Sequence, residues 1–238
     1  MAKENFVLLV GELIEVPKVN REQTIGKFKL KTLRRNDKYD TPVVRVSTES
    51  TIKKLPTFSV GDFIMVKGIV STRDIIKRAE CPKCKEINKV RGTTTEVLAI
   101  DIVDIGPNFK LEDLKEFSNI VRMLGTLCRE PSLTTTSSQS TVSLCKYQIA
   151  ANRKLNVASE PDTYTDYPWV NSFGRQAEQD ALHIETGSQI YIDGGLQTRV
   201  LRRECHCENC GCDYKTEGDI IIEIVPHSVE YLNNCKFD

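Results

Sequence analysis

The chain has 238 residues, 39% of them apolar and 28% charged, with 13 glycines and 9 prolines. This usage excludes wholesale disorder, and no stretch nears the roughly 18 consecutive apolar residues of a membrane span. Lysine plus arginine and aspartate plus glutamate both number 33, so a simple polybasic nucleic-acid binder is not indicated. The balance hides an asymmetry: residues 1–110 hold 21 cationic and 14 acidic side chains, residues 111–238 hold 12 and 19. One half is basic by seven charges and the other acidic by seven.

The opening Met1-Ala2-Lys3-Glu4-Asn5 has no signal-peptide pattern, and the expectation is a soluble cytoplasmic protein with no membrane segment. In chain order, short Val/Ile/Phe-rich segments predict strands at 5–13, 27–33, 43–46, 63–70 and 97–103. After Gly106-Pro107-Asn108 a short acidic, helix-like pattern covers 111–117. A second set of strands is predicted at 120–127, 143–150, 169–173, 190–196 and 219–225. Each set leaves room for one helix between its third and fourth strands, at 49–55 or 176–182.

The two sets are copies. An offset of 126 carries Asp40 and Pro42 to Asp166 and Pro168, Gly61 and Gly68 to Gly187 and Gly194, and Arg73 to Arg199. The same offset carries Cys81, Cys84 and Gly92 to Cys207, Cys210 and Gly218. Upstream the offset is 114, relating Gly11 and Pro17 to Gly125 and Pro131. The expected fold is therefore all-β: two tandem five-stranded OB-type barrels, over 1–111 and 112–238, with cysteine knuckles inserted in the strand four–five hairpins.

The stretches Asn119-Ile-Val-Arg-Met-Leu-Gly125, Tyr167-Pro-Trp-Val-Asn-Ser-Phe-Gly-Arg-Gln-Ala-Glu178 and Gly187-Ser-Gln-Ile-Tyr-Ile-Asp-Gly-Gly-Leu-Gln-Thr-Arg199 resemble the bacterial and phage-type single-stranded DNA-binding proteins. The first unit resembles them more weakly, through Asn5-Phe-Val-Leu-Leu-Val-Gly11 and Val60-Gly-Asp-Phe-Ile-Met-Val-Lys-Gly-Ile-Val-Ser-Thr-Arg73. The resemblance implies single-strand binding in DNA replication or recombination, with replication or recombination proteins as partners. It also implies a homo-oligomer, a dimer of two-barrel chains, since the family assembles four barrels. The cysteine insertions look like those of tandem forms in phages and mobile elements.

Single-strand binding needs cations for phosphates and flat rings for bases. Tyr167, Trp169 and Phe173 share strand parity, with Asn171 between them and Arg175 following, so three rings fall on one face. The resemblance places its two stacking aromatics at Tyr167 and Phe173. The competing reading is that the rings fill the barrel. The first unit has Thr41, Val43, Arg45 and Ser47 at the equivalent places and offers charge instead: Lys27, Lys29, Lys31, Arg34, Arg35, Lys38, Arg45, Lys53, Lys54, Arg73, Lys77 and Arg78. Arg199 is the second unit's counterpart of Arg73.

Cys81-Pro-Lys-Cys84 and Cys207-Glu-Asn-Cys210 are C-x2-C knuckles at equivalent positions. Either Cys81, Cys84, Cys207 and Cys210 share one structural Zn2+ across the repeats, or Cys205, His206 and Cys212 complete a local site around the second knuckle. No catalytic constellation is visible around His183, His206 or His227, and an enzyme is not expected. Two other readings stay open: an RNA-binding or recombination-mediator OB protein, and a zinc-clipped assembly adaptor that binds protein.

Overall fold

Alternating buried and part-exposed side chains along Glu4–Leu13 make this segment a strand with one apolar face, and the same period-two pattern recurs along Gly26–Leu33 and Val142–Asn152. The computed structural model describes residues 3–136, 142–153 and 164–236. The first unit contains β1 (Glu4–Leu13), β2 (Gly26–Leu33), β3 (Val43–Val46), α1 (Glu49–Ile52), β4 (Phe63–Glu80) and β5 (Ile87–Gly106). After α2 (Lys115–Ser118) come β6 (Asn119–Leu127), β7 (Val142–Asn152), β8 (Trp169–Phe173), α3 (Gly174–His183), β9 (Gln189–Leu201) and β10 (Asp219–Asn233).

Each unit closes on itself. In the first, β1 pairs with β2 and β4, β2 with β3, and β3 runs parallel to β5 through Val44 opposite Val97. In the second, β6 pairs with β7 and β9, β7 with β8, and β8 runs parallel to β10 through Val170 opposite Ile224. This 1-2-3-5-4-1 order is that of the OB barrel. Phe28, Leu30, Val44, Ile64, Val66 and Val97 fill the first barrel, and Met123, Tyr147, Ile149, Val170, Ile190 and Ile224 the second, all fully buried. Burial of side chains of this size contributes roughly 1.5–3 kcal/mol each.

Both fourth strands carry a register shift before an equivalent glycine, between Lys67 and Gly68 and between Asp193 and Gly194. A Cβ at Gly68 would lie 2.5 Å from the Leu98 carbonyl oxygen, and one at Gly194 would overlap the Val225 carbonyl in the same way. These positions need glycine so that the paired backbones can approach where the strands coil.

The barrels join edge to edge. β1 and β6 form an antiparallel ladder from Glu4 opposite Leu124 to Leu9 opposite Asn119. Two reciprocal clasps flank it. Asp166 of the second barrel accepts the Thr72 backbone N–H of the first (2.7 Å), while Arg153 binds both its oxygens at 2.7 and 3.0 Å. Asp40 of the first barrel accepts the Thr198 N–H of the second (2.7 Å) and pairs with Arg34. Ser118 ties α2 to the first barrel, accepting the Leu33 N–H and donating to the Val10 carbonyl.

The fourth and fifth strands extend well beyond the expected 63–70 and 97–103. β4 and β5 stay paired out to Glu80 opposite Ile87, and β9 and β10 out to Leu201 opposite Asp219. The outer arm of the first barrel half-buries one side against the second arm, but both its sides carry polar residues. It therefore lacks the apolar alternation that marks a half-buried strand, yet its backbone groups satisfy one another across the hairpin. The helix expected at 49–55 is the short α1 followed by a 3-10 turn at Leu55–Thr57, and that expected at 111–117 is reduced to α2. His183 closes the last turn of α3 with Nδ1 2.8 Å from the Lys236 carbonyl.

Candidate nucleic-acid interface and metal centre

Along β8 and the residues before it, Val170 and Ser172 point into the second barrel, whereas Tyr167 and Phe173 are 47% and 40% exposed. Trp169, on the same side, is half-buried. The rings therefore line the outer face and do not fill the core. Two cations that the sequence reading did not single out stand over Trp169: the Lys146 Nζ lies 4.6 Å and the Arg129 guanidinium carbon 5.2 Å from the ring centroid. Gln148 links Arg129 to Tyr167, accepting from Arg129 at 2.9 Å and donating to the Tyr167 carbonyl at 3.0 Å. A sequence signal for Lys146 existed in strand parity, since it alternates with the apolar Cys145 and Tyr147, but only the β7–β8 register sets it opposite Asn171 on the ring face. Arg175 follows, exposed at the start of α3.

At the centre of this face sits a buried carboxylate. Glu223 on β10 is 2% exposed, accepts the Asn171 amide at 2.6 Å, and pairs with Arg199 at 2.8 Å and Lys146 at 3.7 Å. The first barrel repeats the device. Glu96 on β5, also 2% exposed, pairs with Lys27 (2.7 Å), Arg45 (2.7 Å) and Arg73 (2.9 Å). Arg45 and Arg73 are the counterparts of Asn171 and Arg199 at the offset of 126. Burial alone would raise the Glu96 carboxyl pKa, but hydrogen bonds and charge from Lys27 and Arg73 outweigh it and hold the group below its usual range.

Most of the other first-barrel cations singled out from the sequence meet acidic or aromatic partners. Lys29 pairs with Glu15 (3.2 Å), Arg35 with Glu116 (3.3 Å), Lys53 with Glu49 and Lys54 with Asp101 (3.0 Å). Lys31 lies 4.5 Å over the Tyr39 ring, and Arg34 pairs with Asp40 and donates to Gln197 at 3.0 Å. Lys77 crosses to the other arm to meet Asp219 at 2.7 Å, while Lys38 and Arg78 are exposed. Lys27, Lys29 and Lys31 do share one side of β2, as strand parity requires.

The arms lie side by side. Tyr214 donates to the Ala79 carbonyl and accepts from Asn88, Arg203 donates to the Thr93 carbonyl and pairs with Asp219, and Lys77 reaches the Glu217 carbonyl. At their tips the sulfur atoms of Cys81, Cys84, Cys207 and Cys210 all lie within 4.8 Å of one another. Cys81 to Cys210 is 3.6 Å and Cys84 to Cys207 is 3.5 Å. A tetrahedral ion with bonds of about 2.3 Å to sulfur needs edges near 3.8 Å, so the four sulfurs fit one such ion. The two knuckles are alike in backbone: Lys85 N–H bonds the Cys81 carbonyl and Gly211 N–H the Cys207 carbonyl, and Lys85 and Gly211 both take positive φ, 64° and 68°. The backbone N–H of Cys84 is the main influence drawing the Cys81 thiol down to about 6. Against a hydrogen bond from the Glu86 backbone, burial and the neighbouring thiols push the Cys84 thiol up to about 11, so the cluster shares its negative charge unevenly until a cation offsets it. Cys212 places a fifth sulfur 3.3 Å from Cys81, and Cys205 lies buried nearby with its sulfur 3.7 Å from the Arg203 carbonyl.

Fold and face together define a tandem OB-barrel protein with an exposed aromatic strand in its second barrel. Residues 118–209 match the Single-strand binding protein family. The chain is 29% identical over 118 residues to the Single-stranded DNA-binding protein 1 of Staphylococcus aureus strain MSSA476, covering 49% of this chain and 66% of that protein. It is 30% identical over 112 residues to the Single-stranded DNA-binding protein of strain MRSA252, covering 46% and 62%. The matched segment thus spans less than two thirds of those relatives' length. In fold, the wild-type single-stranded DNA binding protein from Thermus aquaticus superposes with a TM-score of 0.67 over 100% of this chain and 97% of that one, at 16% identity. A deletion mutant of the same protein gives 0.65 at 15%. The resemblance carried by the repeat motifs therefore holds: in sequence over residues 118–209, in fold across both barrels.

Proposed function

We propose that this chain binds single-stranded DNA with little sequence preference, protecting single strands during replication or recombination inside the cell. The observation that carries this reading is the row of Tyr167, Trp169 and Phe173 on the outer face of β8, with Lys146 and Arg129 beside it. Stacked rings and cations on one strand-wide face suit bases and phosphates together, and every base presents a π face. The aromatic face lies in the half that is acidic overall, and Arg129, Lys146, Arg175 and Arg199 are its local positive charge. On the basic half, exposed Lys38 and Arg78 and the paired, at least partly exposed Lys27, Lys29, Lys31, Arg35, Lys53, Lys54, Arg73 and Lys77 add electrostatic attraction for a strand. Arg34 and Arg45 are instead largely buried on Asp40 and Glu96.

The units 1–111 and 112–238 act as one two-barrel body, and two chains supply the four barrels of the related assemblies. Cys81, Cys84, Cys207 and Cys210 hold one Zn2+, a structural ion that clips the arms and performs no chemistry. The test of binding is the fluorescence of Trp169, the single tryptophan, titrated with oligo-dT at several salt concentrations. Quenching with salt-sensitive affinity is expected. Binding of a labelled strand without quenching would move the DNA to the first barrel, and no binding at all would favour the protein adaptor.

A further inference from the structure

The repeat supplies four of the sulfurs at the arm tips in matched pairs, but the fifth belongs to the second copy alone. At the offset of 126, Cys212 corresponds to Glu86. The backbone role is shared: the Glu86 carbonyl accepts the Cys81 N–H at 2.8 Å and the Cys212 carbonyl accepts the Cys207 N–H at 3.0 Å. Only the side chain differs. It puts a half-buried thiol 3.3 Å from the sulfur of fully buried Cys81, nearer than Cys81 stands to Cys210 (3.6 Å). Cys212 is outside the mutually close set of four, so an ion held by that set leaves it uncoordinated.

We propose that Cys212 is an oxidation site that expels the metal ion by forming a disulfide with Cys81, exchanging a metal clip between the arms for a covalent one; this rests on the four-cysteine metal reading above. The oxidant is a peroxide. The Cys212 sulfur attacks one peroxide oxygen, an S–O bond forms as the O–O bond breaks, and the thiol proton leaves with the departing hydroxide as water. The Cys81 sulfur then attacks the Cys212 sulfur with the electron pair it had given to the metal. The S–S bond forms, the S–O bond breaks, and the hydroxide released takes a solvent proton. Two sulfurs are oxidised by two electrons in all, one peroxide is reduced to two waters, and the ion is left with three thiolates. With Cys81 consumed, the ion is left to Cys84, Cys207 and Cys210 and is released, and the disulfide from Cys81 on the first arm to Cys212 on the second takes its place as the link between arms.

The experiment uses the full chain loaded with zinc and treated with hydrogen peroxide in the presence of a chromogenic chelator, followed by alkylation and peptide mapping. Expected are zinc release from the wild-type chain, a Cys81–Cys212 cross-linked peptide, and release several-fold slower from Cys212→Ser, which keeps its zinc before oxidation. Equal release rates, or a cross-link that joins a different pair, would overturn the proposal. So would loss of zinc from Cys212→Ser without oxidant, because Cys212 would then be a ligand. A wild-type chain that never retains zinc defeats the metal reading instead, and the peptide map still decides whether the Cys81–Cys212 bond forms.

Discussion

Val7 lies opposite Val121 in the β1–β6 ladder, and Val121 is its own counterpart at the offset of 114. A residue that pairs with its own repeat marks a pseudo-twofold axis. The duplicated contacts follow from it: Thr72 on Asp166 and Thr198 on Asp40, Glu96 and Glu223 at the centres of their faces, and the two knuckles meeting at the arm tips. One chain thus contains the symmetry that a dimer of single barrels would have.

The clasp at Asp166 is the more buried of the two, with the Arg153 guanidinium against it almost wholly excluded from solvent. Asp166→Asn leaves that cation without its counter-charge, a change that costs about 3–5 kcal/mol in buried pairs. Chemical denaturation should register the loss. An exposed pair such as Lys85 with Glu80 should give at most about 1 kcal/mol on the same substitution of its acid.

Stacking and charge should separate in DNA binding. Tyr167→Ala and Phe173→Ala are each expected to weaken oligo-dT binding by about 1–3 kcal/mol with the salt dependence unchanged. Lys146→Ala should instead reduce the slope of log K against log salt by about 1. Anisotropy titrations at four salt concentrations distinguish the two behaviours.

The buried carboxylates restrain the cations that a phosphate would use. Glu223→Gln keeps the shape of the side chain and removes its charge, freeing Arg199 and Lys146 to face solvent. Tighter binding and a steeper salt dependence are expected in the same titration. Weaker binding would mean that Glu223 serves to hold those cations in the geometry a strand needs.

Acid should reveal the equivalent site in the first barrel. The folded pKa of Glu96 is depressed, so its ionised form favours the fold. That contribution is complete above the unfolded value of about 4.3 and is lost as pH falls through the folded value. The stability difference between wild type and Glu96→Gln, measured by denaturation from pH 7 downward, should therefore shrink only in the acid range.

Metal removal should loosen the arms and spare the barrels, because each barrel has its own buried core. A chelator is expected to leave the far-ultraviolet β signal intact while speeding tryptic cleavage at Lys77, Arg78, Lys89 and Arg91, as the paired arm strands open enough to enter the protease. Cys81→Ser with Cys84→Ser and Cys207→Ser with Cys210→Ser should each abolish zinc binding, since two remaining thiolates cannot complete a tetrahedral site.

Much of this protein was readable from residue order, because strands, turns and knuckles are short-range features. The period-two rule placed Tyr167, Trp169 and Phe173 on one face, and the offset of 126 aligned Cys81 and Cys84 with Cys207 and Cys210. Parity does not say which face is outward, and the rings proved to line the outside. Nor does it reveal partners drawn from strands far apart in the chain. Glu96 meets Lys27 across 69 residues and Thr72 meets Asp166 across 94. Lys27, Arg45 and Arg73 read as cations available to phosphate until barrel closure set Glu96 beneath them.

The sequence by itself determined two copies of a five-stranded unit, their strand order, the ring-bearing strand and the paired knuckles, since local steric preference and apolar spacing encode these directly. Tertiary structure alone decided that the copies join through β1 and β6, that Glu96 and Glu223 lie under the cations, and that five sulfurs converge where four were paired by repetition. Those relationships depend on register between strands distant in the chain, which is set by closing the barrels and laying their arms together and leaves no periodic mark on either strand.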